Sequence, residues 1–158
     1  MSNTANAYTV LRKGTWSGPA EGQCILDYDQ RFLRRKALFT EAGRAFVVNL
    51  TQTVSLDEGD AFELEDGTRV AVVAAREPLL EVRGPDLARL AWHIGNRHMP
   101  CQIETDRLLI QRDPVIRHML EQLGAELTEV EAAFTPEGGA YGHGRTHSHA
   151  HGATTHAH

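Results

Sequence analysis

Histidine is the residue type whose number and spacing in this chain point most directly to chemistry. Six of the nine histidines lie in the final segment: His143, His147, His149, His151, His156 and His158. Neutral imidazole is a borderline ligand suited to Ni²⁺, Cu²⁺, Zn²⁺ and Co²⁺. In an extended chain, the alternating positions 147, 149 and 151 let neighbouring rings converge on one ion. A purification tag would be an unbroken histidine run, whereas Ser, Ala, Gly and Thr interrupt this one. We therefore predict that this segment binds divalent metal.

A second pair of histidines, His93 and His98, lies in the middle of the chain. On an ideal helix, residues five apart point about 140° away from each other, so these two are not expected to share an ion. Met99 precedes a proline, and a residue in that position avoids the α region. The helix is therefore predicted to end before Met99, where the ring of His98 can project outward. His93 is expected to pack beside Trp92. By composition alone, His98 is a weak candidate metal ligand.

Patterns typical of enzymes are missing from the sequence. The histidines lack the HExxH spacing of zinc hydrolases, and there is no GxSxG, P-loop or GxGxxG motif. Cys101 alternates with Ile103 and is interpreted as a core residue, and His118 is interpreted as an exposed helix residue. We therefore predict that the protein is not an enzyme and has no catalytic or organic-cofactor-binding residues.

The first 75 residues are predicted to form a small all-β domain. They contain short alternating runs with turn residues between them and no long helical period. Asp66-Gly67 between two such runs is a strong hairpin signal. The predicted strands are residues 23–28, 44–50, 61–65 and 68–73. A basic cluster in this region, made of Arg31, Arg34, Arg35 and Lys36, is expected to be a solvated face or to dock an acidic partner.

Residues 76–134 are predicted to form a second domain with the order strand, helix, strand, strand, helix, strand, which is the pattern of ferredoxin-like folds. Pro85 suits the first turn of one helix; Asp113 suits the N-cap and Gly124 the C′ position of the other. Residues 115, 116, 119, 120 and 123 form one apolar stripe on that second helix. The predicted strands are residues 79–82, 101–104, 108–111 and 127–134. Residues 74–78 are predicted to be a hinge between the domains.

From residue 135 to 158 the chain consists mainly of Gly, His, Ala and Thr without periodicity. Such a composition cannot bury enough surface to offset chain entropy, so this tail is predicted to be disordered without metal. The predicted fold class is thus α+β with two domains: a small all-β domain, a ferredoxin-like βαββαβ metal-binding domain, and a disordered His-rich tail.

Charge and hydropathy exclude several partners and locations. The formal net charge is −5 with His neutral, which disfavours nucleic-acid binding. No stretch approaches the roughly 18 apolar residues of a membrane span, and the first residues lack the features of a signal peptide. Two cysteines far apart suit a reducing compartment, so a cytoplasmic location is expected.

Several motifs, taken in order, resemble one family closely. They are Tyr28–Lys36, Gly59-Asp60, Glu65–Gly67, Glu77–Val82, Leu90–Pro100 and the His-rich C-terminus. Each motif alone is weakly specific, but together they cover nearly the whole chain. The chain resembles the UreE family of urease accessory proteins, which are nickel metallochaperones.

The resemblance implies a fold, a site and partners. It implies an N-terminal β domain related to peptide-binding modules and a ferredoxin-like metal domain. It also implies a homodimer in which His98 of each subunit binds one shared Ni²⁺, with tail histidines adding ligands and sites. Nickel would pass to apo-urease through the urease accessory GTPase. Some relatives carry extra histidines just before the second helix, whereas this chain has Gln111, Arg112 and Pro114, with Asp113 as an oxygen donor.

Two other function classes are weighed against nickel delivery. A general divalent-metal buffer or storage protein is the alternative, because the tail alone permits it and Cu²⁺ binds nitrogen ligands more tightly than Ni²⁺. A metalloenzyme is disfavoured, because no general base or nucleophile stands beside a defined ligand set.

Overall fold

The computed structural model describes residues 4–138, and the tail histidines therefore lie outside the described residues. The chain divides into two compact units, one ending at Ala75 and the other beginning at Arg76. Both units are built on β-sheets, and the two α-helices of the described residues lie in the second unit. The chain is thus an α+β protein of two units. No helix among residues 4–138 is long and apolar enough to span a membrane.

The first unit is a six-stranded sheet. Its strands are β1 (Ala5–Leu11), β2 (Gly22–Leu26), β3 (Phe32–Phe39), β4 (Ala45–Ser55), β5 (Ala61–Leu64) and β6 (Arg69–Ala74), with a short 3₁₀ helix at Asp29–Arg31. The order across the sheet is β2-β6-β5-β1-β4-β3, so β2 and β3 are the two edge strands. Inward side chains of these strands form one core, in which the rings of Phe46 and Phe62 lie 5.5 Å apart.

The sequence pattern does not predict β1 or β3. In β3 the residues at positions 34 to 37 are all exposed, so the alternation that identifies a half-buried strand is lost. A β-bulge between Leu33 and Arg35 shifts the register there. β1 begins with Ala and Asn, which have low strand propensity, and it is held by pairing to β4 and β5 on its two sides.

The second unit has the element order predicted from the sequence. It consists of β7 (Arg76–Arg83), α1 (Leu87–Asn96), β8 (Gln102–Ile103), β9 (Leu108–Gln111), α2 (Pro114–Gln122) and β10 (Glu126–Ala133). The strands form a four-stranded antiparallel sheet in the order β10-β7-β9-β8. Buried residues of both helices and of β7 and β9 share one core: Leu80, Val82, Leu90, Ile94, Leu108, Ile110, Ile116 and Leu120.

The predicted hinge at residues 74–78 is wrong in extent. β6 ends at Ala74 and β7 begins at Arg76, so Ala75 alone connects the two strands. The N–H of Ala75 donates to the carbonyl of Leu26 at 2.8 Å. Pro78 suggested a break in the chain, yet it lies within β7 opposite Glu131 of β10. Pairing with β9 begins only at residue 79, so this proline lies where β7 has a partner strand on one side.

The helix termini mostly follow the sequence signals. Asp113 caps α2 by accepting from the N–H groups of Val115 and Ile116 at 2.9 and 3.0 Å. α1 instead begins at Leu87 with Asp86 as its N-cap, so Pro85 lies outside the first turn that it was expected to occupy. The predicted apolar stripe of α2 is too wide, because the side chain of Val115 is 63% exposed.

Asp60 is a buried carboxylate that joins three segments of the first unit. Its side chain is 1% exposed and accepts from the guanidinium of Arg12 and from the backbone N–H groups of Lys13 and Asp57, each at 2.8 Å. These bonds replace the water that the carboxylate loses on burial. Removing the carboxylate would leave all three donors without their hydrogen-bond acceptor. An unsatisfied buried donor costs more free energy than its hydrogen bond contributes on average.

Replacing Asp60 with Ala is therefore expected to lower the free energy of unfolding by roughly 3 kcal/mol, measured by urea denaturation. Arg117→Gln is the control, because Arg117 forms exposed ion pairs with Glu121 and Glu129, each at 3.5 Å, whose loss should cost at most about 1 kcal/mol. Equal losses in the two variants would contradict a special role for the buried carboxylate.

Candidate metal site at the end of helix α1

Helix α1 ends in a Schellman motif that fixes the backbone at residue 98. The N–H of His98 donates to the carbonyl of Gly95 at 2.9 Å, and the N–H of Met99 donates to the carbonyl of Ile94 at 3.3 Å. These two bonds define the motif, and they form when the C′ residue takes a left-handed conformation. His98 occupies that position with φ 62°. The prediction that the helix stops before Met99 is confirmed, because α1 ends at Asn96.

A second Schellman motif ends α2 and uses glycine at the same position. The N–H of Gly124 donates to the carbonyl of Glu121 at 3.0 Å, and that of Ala125 donates to the carbonyl of Leu120 at 3.1 Å. Gly124 has φ 84° and has no Cβ to oppose this conformation. Among residues 4–138, His98 is the one residue other than glycine with positive φ. For a residue with a Cβ, this conformation costs roughly 1–2 kcal/mol.

The motif directs neighbouring side chains to opposite environments. Met99 packs against the core of the second unit, and His98 is exposed. The hydrophobic contact of the residue after C′ with the end of the helix is a regular part of the motif. The carboxyl end of a helix also carries a partial negative charge that favours a cation. The end of α1 therefore presents an imidazole to solvent at a place where the helix dipole favours a metal ion.

The other histidines of the described residues lie apart from this position. The ring of His93 meets that of Trp92 edge to face at 5.0 Å, as expected from the sequence, and Trp92 is 62% exposed. His118 is exposed on α2, also as expected. No group of three or more His, Cys, Asp or Glu side chains within residues 4–138 is arranged to hold a metal ion. Residues 4–138 of a single chain therefore do not supply a complete set of metal ligands around His98.

The residues just ahead of α2 have structural contacts. Gln111 is the last residue of β9, and the carboxylate of Asp113 is engaged by the N-cap bonds. The guanidinium of Arg112 donates to the carbonyls of Leu79 and Val130 at 3.0 and 3.1 Å. These contacts tie β9 and the start of α2 to the sheet.

Cys101 lies three residues after His98 but is a poor ligand or nucleophile. Burial, with a smaller contribution from the charge of Glu137, raises the pKa of its thiol to about 11. The thiol is therefore protonated at neutral pH, whereas metal binding and nucleophilic attack require the thiolate. Cys101 packs against the core of the second unit, which confirms its interpretation as a core residue.

The chain that leaves β10 returns to the segment following His98. Phe134 is fully buried, the N–H of Thr135 donates to Oε1 of Gln102 at 2.8 Å, and the N–H of Glu137 donates to the carbonyl of Cys101 at 2.9 Å. The last described residues therefore lie beside residues 101 and 102. No sequence pattern signals this contact, because a carboxamide side chain and two loop N–H groups carry it.

Comparison with known proteins identifies the family. Residues 6–75 match the description "UreE urease accessory protein, N-terminal domain", and residues 77–158 match "UreE urease accessory protein, C-terminal domain". The chain belongs to the UreE family of urease accessory proteins. The junction between the two matches coincides with the change from the first compact unit to the second.

Curated UreE relatives align over most of their length. A protein from Ruegeria pomeroyi is 64% identical over 142 residues, which cover 90% of this chain and 95% of the relative. One from Cereibacter sphaeroides is 58% identical over 152 residues, covering 96% and 83%. One from Rhodobacter capsulatus is 52% identical over 152 residues, covering 96% of each chain. All three are named as urease accessory protein UreE.

The two Schellman motifs allow the backbone cost at residue 98 to be measured apart from the imidazole. His98→Gly and His98→Ala both remove the ring, but only glycine relieves the left-handed conformation. The glycine variant should therefore have a free energy of unfolding about 1 kcal/mol higher than the alanine variant, in metal-free urea denaturation.

Gly124→Ala provides the reciprocal control at the end of α2. It should lower the free energy of unfolding by about 1 kcal/mol, because it introduces a Cβ at the same left-handed position. If the two variants of His98 are equally stable while Gly124→Ala is destabilised, the backbone at residue 98 carries no cost.

Proposed function

We propose that this protein is a cytoplasmic nickel carrier that delivers Ni²⁺ for assembly of the urease active site. The observation that carries the proposal is an exposed histidine in a left-handed conformation at the end of α1. The left-handed backbone conformation is costly for any residue with a Cβ, and α2 has glycine at the same position. We infer from this cost that the imidazole of His98 is needed there. Imidazole at the negative end of a helix suits a borderline divalent cation.

The proposed central ligand is His98, and a second copy supplies the next one. A single imidazole is a poor nickel site, and the described part of one chain offers no ligand cluster. In a two-fold homodimer, a residue near the axis lies opposite the same residue of the other subunit. Two His98 rings near the axis can therefore bind one ion, and the carboxyl ends of both α1 helices then point toward that ion. Exposed Trp92, on the helix that carries this site, supplies apolar surface for such an interface.

The proposed additional ligands are the tail histidines: His143, His147, His149, His151, His156 and His158. The hydrogen bond from Glu137 to Cys101 fixes Glu137 beside a residue that is three positions after His98. Three positions of extended chain span at most about 10 Å. His143 lies six positions after Glu137, a reach of at most about 20 Å. The first tail histidine can therefore approach His98 of its own subunit. The predicted tail spans residues 135–158, but Thr135 and Glu137 are hydrogen-bonded to Gln102 and Cys101, so we propose that residues 139–158 are its metal-binding part.

The proposed organisation of the remaining chain follows the two compact units. Residues 1–75 form a β domain of the peptide-binding type, and residues 76–134 form a ferredoxin-like metal-binding domain. The second assignment is supported by the βαββαβ order and by the strand order β10-β7-β9-β8.

An incomplete ligand set favours delivery over storage. Ligands contributed by separate chains and a tail can be exchanged one at a time, so the ion can pass to a receiving protein. The proposed recipients are the urease accessory GTPase and, through it, apo-urease. Cu²⁺, Zn²⁺ and Co²⁺ are expected competitors for the same imidazoles. Deletion of the gene distinguishes delivery from general metal buffering. If urease activity is lost and added nickel restores it, the protein delivers nickel. Unchanged urease activity would contradict delivery.

Replacing His98 with Ala is expected to remove the tightest nickel site while weaker tail binding remains. The metal-free dimer should persist, because its apolar contacts do not include the ion. Calorimetric titration with Ni²⁺ and sedimentation velocity measure the two effects. His93→Ala is the matched control, with a small effect on nickel affinity. Retention of the tight site in His98→Ala, or its loss in His93→Ala, would contradict the assignment.

Replacing all six tail histidines with Ala in the full-length chain is expected to reduce the nickel bound per dimer. The fold and dimer should be unchanged, because the core residues lie before residue 135. Circular dichroism and mass in solution check both. If the variant unfolds, the tail histidines are structural; if it binds as much nickel as the original chain, they are not ligands.

Nickel is expected to dissociate progressively as the pH falls through roughly 6.5, where free imidazole titrates. Protons and metal compete for the same ring nitrogen, so affinity is full above this region and lost below it. Equilibrium dialysis between about pH 5 and 8 measures the loss. Binding that is unchanged at about pH 5 would indicate carboxylate ligands instead.

A further inference from the structure

The residues that follow β10 run from one edge of the second sheet to the other. β10 and β8 are the two edge strands of that sheet. Phe134 is fully buried, and three residues later the N–H of Glu137 donates to the carbonyl of Cys101, the residue before β8, at 2.9 Å. We name residues 134–137 the strap. It is held at one end by a buried ring and at the other by a backbone hydrogen bond.

Gln102 holds the middle of the strap with a side chain that forms hydrogen bonds in two directions. Its Oε1 accepts from the N–H of Thr135 at 2.8 Å, and its Nε2 donates to Oε2 of Glu104 at 2.6 Å. A carboxamide can accept from an N–H and donate to a carboxylate at the same time, whereas a carboxylate or an ammonium group can do only one of the two. Glutamine therefore matches both of its neighbours.

A row of ion pairs keeps Gln102 in place. Glu104 accepts from Nε of Arg107 at 2.8 Å, and Arg107 also donates to Glu81 of β7 at 2.9 Å. Hydrogen bonds from Arg83 and Arg107 hold the pKa of the Glu81 carboxyl below its usual range, so this carboxylate is ionised at neutral pH. The strap is thus linked, through the side chain of Gln102, to a strand in the interior of the sheet.

The segment that receives the strap also carries the proposed metal ligand. The Schellman motif fixes the backbone of His98 and Met99, and Gln102 pairs with Leu109 in the sheet. Between them, Met99 and Cys101 pack against the core of the second unit. The strap is bonded to Cys101 and Gln102, which lie three and four positions after His98. Its position is therefore fixed relative to the imidazole of His98.

The alternative is a purely structural role, for which the first unit offers an example. Arg31, expected from the sequence in a solvated basic cluster with residues 34–36, is instead buried and donates to the carbonyls of Leu26 and Leu56 at 3.1 and 3.2 Å. Those bonds hold two segments of the core together. In the same way, the strap would only cover the exposed edge of β8. The two roles differ in one respect, because only positioning depends on the histidines that follow the strap.

We propose that Gln102 is a positioning residue for the metal site: by fixing the strap, it sets the point from which the tail histidines reach the ion bound by His98. This inference rests on the proposed function, because it requires tail histidines to be ligands. With the strap held, His143 lies six positions after the last fixed residue, Glu137; with the strap released, it lies nine positions after Phe134. The effective concentration of a tethered ligand falls with about the 3/2 power of tether length, so the longer tether alone lowers it about twofold.

Gln102→Ala and Thr135→Pro break the same hydrogen bond from opposite sides. The first removes the acceptor and the second removes the N–H. In calorimetric titration of the full-length chain with Ni²⁺, each should weaken the tightest site about two- to fivefold. The double variant should bind no more weakly than either single variant, because all three lack one and the same bond. Gln122→Ala, the same truncation at an exposed position of α2, is the control with unchanged affinity.

Replacing all six tail histidines with Ala separates positioning from a structural role. In that background, Gln102→Ala should leave the remaining nickel affinity unchanged, because the strap then positions no ligand. A structural role predicts the same loss of affinity with and without the tail histidines.

Amide hydrogen exchange in the metal-free protein tests the strap itself. The N–H of Thr135 should exchange at least about tenfold faster in Gln102→Ala, whereas the amides of Leu80 and Ile94 in the core should be unchanged. If Gln102→Ala also loosens the core, Thr135→Pro keeps the test decisive, because residue 135 lies beyond the end of β10.

The inference is overturned if Gln102→Ala and Thr135→Pro bind nickel with the original affinity although the six-histidine variant binds more weakly. It is also overturned if Gln102→Ala weakens binding equally in both backgrounds. Those two results leave the proposed tail ligands standing. If the six-histidine variant itself keeps the original affinity, the tail supplies no ligand, and the proposed role of the tail fails together with this inference.

Discussion

The left-handed backbone at residue 98 is the constraint from which the metal site follows. Two hydrogen bonds close the end of α1, and they require the residue between them to adopt positive φ. Because these bonds place Met99 against the core, the preceding side chain must leave the surface of the helix. Glycine would meet this requirement without cost, as it does at the end of α2. The chain has an imidazole there instead, and the rest of the second unit holds it in place.

The core of the second unit supplies that support. Leu90 and Ile94 anchor α1 on the sheet, and Ile94 also provides the carbonyl that accepts from Met99. The same sheet, through β8, receives the chain that leaves β10 and brings it beside residues 101 and 102. One packed layer thus fixes the position of His98 and the starting point of the tail, although the two are far apart in sequence.

Local sequence signals predict the helices better than the edges of the sheets. Asp113, Pro114 and Gly124 act through bonds to their immediate neighbours, so α2 could be located from residue types alone. β3 could not, because a bulge and consecutive exposed cations remove its alternation, and pairing with β4 determines its structure. Pro78 was misleading for the same reason: whether a proline breaks a strand depends on which neighbouring strand is present beside it. Pro100 predicted that His98 lies beyond the end of the helix. The positive φ of His98 could not be predicted, because histidine, unlike glycine, does not signal a left-handed conformation.

Cys24 is buried and Cys101 is partly buried, and this limits the metals and oxidants that can react with either thiol. Burial raises the pKa of Cys24 and of Cys101 to about 11. At neutral pH only about one thiol in ten thousand is then ionised, so sulfenic acid formation by peroxide is slow at either position. The same protonation adds the cost of removing a proton before either sulfur can bind a soft ion such as Cu(I). Within the described chain, the fold thereby disfavours thiolate chemistry at Cys101, three residues after an exposed imidazole that can bind borderline cations.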